Sequence, residues 1–146
     1  MDAALERLDV LVGEWVVEAE FPGAEAVTGR AVFEWTLDGR FLVQRTAAPG
    51  PVPDSMAIVA AGAADGTYTQ HYFDSRGVVR TYAMTFDGEV WQLLRERADF
   101  SPLDFRQRFV GRVEDGGDTI RGAWETGKVE SGEWERDFGV SYRRIR

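Results

Sequence analysis

The chain has 146 residues, 44% of them hydrophobic and 12% aromatic, which is enough to bury one core, so we predict a single domain over residues 1–146. Seventeen basic residues against twenty-five acidic ones give a net charge of −8, which disfavours nucleic acid and anionic membranes as partners. With no cysteine and one histidine, disulfides, thiolate metal sites and multi-histidine sites are excluded, and we predict neither a metal nor a cofactor.

The N-terminal segment predicts a short amphipathic helix. Leu5, Leu8 and Val12 recur at helical spacing, with charged residues between them over Asp2–Leu11. No basic region followed by an apolar stretch is found there, and no apolar run approaches about 18 residues. We therefore expect a cytoplasmic protein.

After Gly13 the hydrophobic period changes to two, and Asp-Gly and similar turn signals separate the alternating segments. No crossover helix fits between neighbours, and a meander this long removes its exposed edges by closing. We predict an all-β fold, an antiparallel up-and-down barrel of about ten strands, with "APGPVPDS" (Ala48–Ser55) as a long end loop. The strand candidates are Gly13–Phe21, Thr28–Leu37, Gly39–Ala47, Met56–Gly62, Thr67–Phe73, Val78–Phe86, Glu89–Ala98, Leu103–Val113, Thr119–Thr126 and Gly132–Ile145.

Counting register from the turns predicts which side chains face the barrel interior. In "QHYFDSRGVVRTYAMTFDGEVWQLLRER" (Gln70–Arg97), the count places His71 opposite Arg80 and Arg80 opposite Arg95. All three share a face with apolar residues, and that face should point inward. The apolar members of the face are Phe73, Val78, Tyr82, Met84, Phe86, Trp91 and Leu93.

This basic row suggests a ligand site. Two guanidinium groups and an imidazole in an apolar interior cost several kcal/mol unless a counter-charge or water satisfies them. The same count puts most carboxylates on the outer face, so a small anionic ligand would supply the missing charge. In the alternative interpretation, Arg80 and Arg95 lie near one barrel end and extend into water, with His71 hydrogen-bonded to a neighbour.

The site predicted from these faces is a cavity for an amphipathic or aromatic anion. Without a "GxSxG" motif or paired interior carboxylates, a binding protein is favoured over an enzyme, and no catalytic residue is assigned. The sequence leaves open whether the chain forms a homodimer. The predicted ligand contacts are His71, Arg80 and Arg95 for the head group, Tyr82 and Gln107 as hydrogen-bond partners, and Trp15, Phe33, Trp91, Phe109 and Trp124 as walls.

Four segments together resemble a family: "LDVLVGEWVVEAEF", "WTLDGRFLVQ", "YFDSRGVVRTYAMTFDGEVWQLLRE" and "IRGAWE…GEWERDFGVSYRRI". They resemble the uncharacterised lipocalin-like proteins of the DUF1579 type, in the calycin group that includes fatty-acid-binding proteins and nitrobindin. The resemblance covers nearly the whole chain and implies a ten-stranded barrel with a central cavity. Gly13 and Trp15 would help to close one end.

The resemblance also implies other possible ligands and functions. Fatty-acid-binding proteins hold a carboxylate with an Arg-x-Tyr pair; Arg80 and Tyr82 have this chemistry, but in a middle strand instead of near the C-terminus. Nitrobindin-like proteins ligate haem through a histidine near the chain end, which this sequence lacks, although His71 could ligate haem from another strand. A third hypothesis is a cofactor-free isomerase or cyclase, with His71 as general acid or base.

Overall fold

The computed structural model describes residues 2–145 and shows a closed barrel of ten antiparallel strands. Each strand pairs with its neighbour in the chain, and the last strand pairs with the first. The predicted up-and-down barrel is confirmed. The strands are β1 (Gly13–Glu20), β2 (Val27–Thr36), β3 (Phe41–Ala47), β4 (Ser55–Ala61), β5 (Thr67–Asp74), β6 (Val79–Phe86), β7 (Val90–Arg95), β8 (Arg106–Glu114), β9 (Thr119–Gly127) and β10 (Glu135–Arg144).

A short helical segment covers one end of the barrel. It consists of α1 (Ala3–Arg7) and one 3₁₀ turn (Leu8–Leu11), and its leucines are buried. Asp2 caps α1, because its carboxylate accepts a hydrogen bond from the Ala4 backbone N–H at 2.8 Å. No helix within residues 2–145 is long and apolar enough to cross a membrane. The loops after β1, β3, β5, β7 and β9 surround the opposite end, which we call the mouth.

Arg144, near the end of β10, ties the covered end together. Its guanidinium donates to the backbone carbonyls of Val10, Val12 and Gly117, and lies 4.2 Å from the Trp15 ring centroid. The last strand is thereby joined to the helical segment and to the loop between β8 and β9. Trp15, which is fully buried, lies at this covered end.

Aromatic side chains fill much of the interior above that end. Trp91 contacts Phe33, Phe109 and Tyr142, with ring centroids 5.1–6.0 Å apart. A Cβ atom on Gly122 would lie 2.9 Å from the Phe109 ring, so this position requires glycine. The predicted wall residues are therefore packed against one another in the lower half of the barrel.

The prediction that the His71 side chain points inward is wrong, because the turn after β5 is longer than predicted. Phe73 pairs with Val79 instead of Val78, because the turn contains one residue more than the count assumed. A shift of one residue reverses every side chain of a strand. His71 pairs with Thr81 and lies on the outer face, whereas the inward residues of β5 are Tyr68, Gln70 and Tyr72.

Asp74 holds this longer turn in place. Its carboxylate accepts hydrogen bonds from the Tyr72 hydroxyl at 2.9 Å, the Arg76 backbone N–H at 2.9 Å and the Arg76 guanidinium at 2.7 Å. Burial raises the pKa of Asp74, but the hydrogen bonds from Arg76 and Tyr72 outweigh it and lower the pKa to about 2.

The turn after β6 also differs from the count, with a milder result. Phe86 pairs with Trp91 instead of Glu89, and Met84 pairs with Leu93 instead of Trp91. The shift is two residues, which leaves the faces of β6 and β7 as predicted. Arg95 therefore points inward.

Candidate functional site

The inward basic residues meet at a cavity in the mouth. It has a volume of about 360 Å³ and lies between the turn after β5 and the loop between β7 and β8. This volume is within the range of small-molecule sites. Its lining residues are Gly77, Val78, Val79, Arg80, Arg95, Phe100, Ser101, Pro102, Asp104 and Phe105.

Arg80 reaches the cavity without an ion-pair partner among residues 2–145. Its Nη1 donates to Gln107 Oε1 at 2.9 Å, and the Tyr82 hydroxyl donates to the same oxygen at 3.1 Å. Gln107 is neutral, and Arg80 forms no ion pair with a carboxylate among residues 2–145. A positioned guanidinium of this kind can bind a carboxylate, sulfonate or phosphate.

Arg95, in contrast, is paired within the protein. It donates to both oxygens of Asp99, at 3.0 and 2.8 Å, and the two side chains are only 3% and 9% exposed. Asp99 also accepts from the backbone N–H groups of Thr81 and Ser101. The hydrogen bonds from Arg95 hold the pKa of Asp99 well below its usual range. The expectation that the inner arginines lack a carboxylate partner is therefore wrong for Arg95, whereas Arg80 forms no ion pair within residues 2–145.

Sequence reasoning missed Asp99 because it lies outside the alternating strands. It is in the loop after β7, four residues beyond Arg95, and this loop folds back across the mouth. The spacing to Arg95 was the available signal, although a spacing of four residues has no fixed meaning in a loop.

Two aromatic side chains flank the cavity at its outer edge. Phe100 is 72% exposed and Phe105 is 38% exposed. The Phe105 ring centroid lies 5.9 Å from the Arg80 guanidinium carbon. Large exposed aromatic residues beside a cavity are typical of a binding surface. The mouth thus combines the Arg80 guanidinium, the Arg95–Asp99 pair and the Asp104 carboxylate with apolar ring faces.

Below the mouth, one half of the interior wall is aromatic and the other half is small. Tyr82 contacts Tyr72 and Trp124 at centroid distances of 6.4 and 5.5 Å. Across the barrel, several inward residues of β1, β2 and β4 are smaller: Val17, Ala31, Ala57 and Val59. Val17, Val140 and Tyr142 also face inward and keep 8–9% exposure.

Several polar groups face this interior. Gln44 Nε2 donates to the Tyr142 hydroxyl at 3.2 Å and to Thr46 Oγ1 at 3.3 Å. Burial raises the pKa of Tyr142 to about 12, so its hydroxyl is protonated at neutral pH. Gln70 is only 3% exposed, and its carboxamide has no hydrogen-bond partner within residues 2–145. Among these residues, the indole N–H of Trp91 is the one fully buried side-chain polar group without a partner.

Two larger depressions lie on the outer surface. One, of about 760 Å³, extends over β2 to β5 beside Val32, Met56 and Phe73. The other, of about 810 Å³, adjoins it over β1 to β3. Both are open, and neither is lined by a residue of the predicted ligand site.

Nine of the ten predicted ligand residues face inward, and His71 does not. Arg80 and Arg95 line the mouth cavity, with Tyr82 and Gln107 directly beneath it. The predicted wall residues lie deeper: Trp15, Phe33, Trp91 and Phe109 are at most 2% exposed, and Trp124 is partly buried.

Comparisons with known proteins agree with the fold. The sequence matches no known family and no curated protein. The chain is similar to a crystal structure of Rv2717c from M. tuberculosis, with 17% identity, a TM-score of 0.68 and coverage of 100% of this chain and 99% of the other. It is also similar to a de novo designed fluorescence-activating β-barrel, with 11% identity, a TM-score of 0.51 and coverage of 99% and 100%. At these identities the likeness shows a shared barrel fold.

Proposed function

We propose that the protein binds a small organic anion with an apolar or aromatic body, and that Arg80 contacts the charged group. The observation that carries this proposal is the state of Arg80. Its guanidinium is held by Gln107, which Tyr82 also contacts, but its charge is unmatched at the edge of a cavity. An anion bound there gains a charge-assisted hydrogen bond with a cation that is already positioned.

The surroundings of Arg80 support an apolar body for the ligand. Phe100 and Phe105 present ring surface on one side of the cavity, and Tyr82 and Trp124 lie beneath it. Burial of these ring faces against a ligand is favourable by roughly 25 cal/mol per Å² of apolar area. A small inorganic anion would leave this surface in water.

Arg95 has a supporting role in this proposal. Its charge is neutralised by Asp99, and the same carboxylate binds two backbone N–H groups of the mouth. The Arg95–Asp99 pair therefore holds the loop that carries Phe100 and Phe105. Direct contact with the anion falls to Arg80.

The haem-binding and the isomerase or cyclase alternatives both require His71 inside the barrel. His71 lies between Ile58 and Thr81 on the outer face, so it cannot ligate haem in the interior or act there as general acid or base. The likeness to a designed fluorescence-activating barrel supports a binding role in general terms, because the fold can be built around a binding function.

A fluorescence titration with anilinonaphthalene sulfonate tests the proposal. Arg80→Met keeps similar volume and removes the charge, whereas Arg143→Met removes an exposed arginine on the outer face and serves as the matched control. Loss of a charge pair at a binding site costs about 2–5 kcal/mol, and since Arg80 is only partly buried we expect the lower end, about a 30-fold weaker affinity. The control should bind like the wild type. Equal binding by the wild type and the Arg80 variant, with unchanged melting temperatures, would refute the anion site.

A further inference from the structure

The barrel interior offers hydrogen bonds that the protein itself does not use. Gln70 is 3% exposed with no partner for its carboxamide within residues 2–145, and the Trp91 N–H is also unpartnered in that range. Buried polar groups are almost always hydrogen-bonded, and an orphaned group costs about 1–3 kcal/mol. Groups of this kind on the inner face of a barrel point to a ligand that satisfies them.

The Gln44–Tyr142 pair adds a free donor whichever way the glutamine amide is turned. In the orientation found here, Gln44 Nε2 donates to the Tyr142 oxygen, and the tyrosine O–H then has no acceptor among residues 2–145. With the amide reversed, Tyr142 would donate to the Gln44 carbonyl, and the glutamine NH₂ would lose its acceptor. Tyr142 faces the barrel interior and keeps 8% exposure.

From these groups we infer that the ligand of the mouth site is an aromatic or cyclic anion whose body carries a hydrogen-bond acceptor such as a carbonyl oxygen, which Gln44, Tyr142 and Gln70 bind. This inference rests on the anion site proposed above and narrows its ligand class. The charged group binds at Arg80, and the body extends down past Tyr82 and Trp124 into the interior. The acceptor on the body then meets the donors of the lower wall.

The same groups disfavour a simple alkyl chain. A saturated chain would cover the polar atoms of Gln70 and of the Gln44–Tyr142 pair without forming hydrogen bonds to them. These atoms would lose contact with water, and no new hydrogen bond would offset the cost of desolvation. A planar ring system with an acceptor satisfies the donors and also packs on the aromatic wall. The expected order of affinity is therefore acceptor-bearing aromatic acid, plain aromatic acid, then fatty acid.

Isothermal titration calorimetry with three anions tests this order. The probes are chromone carboxylate, naphthalene carboxylate with the acid at the corresponding ring position, and dodecanoate. The first two have nearly the same shape and differ in the ketone and ring oxygens. At about 1 kcal/mol for each hydrogen bond gained, we expect chromone carboxylate to bind roughly 5- to 30-fold more tightly than naphthalene carboxylate.

Variants of the lower wall locate the preference. In Gln44→Met/Tyr142→Phe, which removes the donor in either amide orientation, the ratio of the two affinities should fall toward one while naphthalene carboxylate binds as before. Gln70→Leu should reduce the ratio in part, and it tests the inference by itself if the double variant does not fold. Gln92→Met, on the outer face of β7, should leave the ratio unchanged.

The outcomes separate the two proposals. If all three anions bind, and Arg80→Met weakens each of them, but the wild type shows no preference for the chromone acid, the acceptor inference is wrong and the anion site stands. A preference that persists in both the double variant and Gln70→Leu also overturns the inference. If no anion binds the wild type, or if Arg80→Met has no effect on any of them, the proposed function itself fails.

Discussion

The buried pair between Arg95 and Asp99 is the feature whose energetic role can be predicted most sharply. In Asp99→Asn the shape is conserved and the carboxylate charge is lost, so Arg95 keeps its charge at 3% side-chain exposure without a counter-ion. An arginine cannot escape this cost by deprotonation, because its pKa is above 12. Breaking a buried pair costs about 3–5 kcal/mol.

The contacts around the pair set the expected value near the lower end of that range. Arg95 Nη2 retains weaker acceptors at the Ser101 and Pro102 carbonyls, 3.4 and 3.5 Å away, and Asp99 is at the rim of the barrel. We expect Asp99→Asn to lower the free energy of unfolding by about 3 kcal/mol, or the melting temperature by roughly 6–12 °C. Arg95→Met should cost less, about 1–2 kcal/mol, because the orphaned carboxylate keeps two backbone donors and can be protonated.

Urea unfolding at pH 7, followed by tryptophan fluorescence, measures these changes in the two single variants and the double variant. The double variant should be more stable than the sum of the single losses predicts, with a coupling of about 1–2 kcal/mol. Glu114→Gln is the control, because the Arg121–Glu114 pair has a similar 2.9 Å contact but side chains that are 66% and 41% exposed. It should change stability by less than about 0.5 kcal/mol. If Asp99→Asn were as mild as this control, Arg95 would have to reach water, and the closed loop over the mouth would be wrong.

The remaining predictions concern pH and the covered end of the barrel. Because the folded pKa of Asp99 lies below its ordinary unfolded value near 4, the stability it contributes is complete above about pH 5 and declines as the pH falls toward the folded pKa. Melting temperatures between pH 7 and pH 3 should therefore fall more steeply in the wild type than in Asp99→Asn; parallel curves would contradict this. In Arg144→Met, three backbone carbonyls lose their hydrogen-bond donor and the Trp15 ring loses the guanidinium that covers it. We expect the free energy of unfolding, measured in guanidinium, to fall by about 2–4 kcal/mol. Arg143→Met should lose less than about 0.5 kcal/mol, and equal losses would contradict the role of Arg144.

The resemblance stated from sequence motifs has a mixed outcome. The ten-stranded barrel it implies is present, and solved barrels of the same fold cover essentially the whole chain. The narrower assignment to the DUF1579 type finds no matching family. Motifs such as Gly13-x-Trp15 serve to close the end of a barrel, and unrelated sequences can meet the same requirement. Such motifs therefore identify a fold more readily than a family.

The sequence by itself determined the strands, their order and the closure of the barrel. These follow from local information. Hydrophobic residues alternate with a period of two, and the short turns permit only antiparallel neighbours. A meander of ten strands is long enough to close, which pairs its two edge strands. The inward facing of Arg80, Tyr82 and Arg95 followed from the same alternation within β6 and β7, because the error in the turn between these strands was an even number of residues.

Only the tertiary structure decided the facing of His71 and the partner of Arg95. The first depends on whether the turn after β5 has four residues or five, which is settled by the hydrogen bonds that Asp74 accepts from Tyr72 and Arg76. One residue reverses a whole strand, so a small difference in turn energy moves a histidine from the interior to the surface. The second depends on how a loop without periodicity folds back across the mouth to bring Asp99 to Arg95, and the contacts that direct it come from residues distant in the chain, which no local pattern encodes.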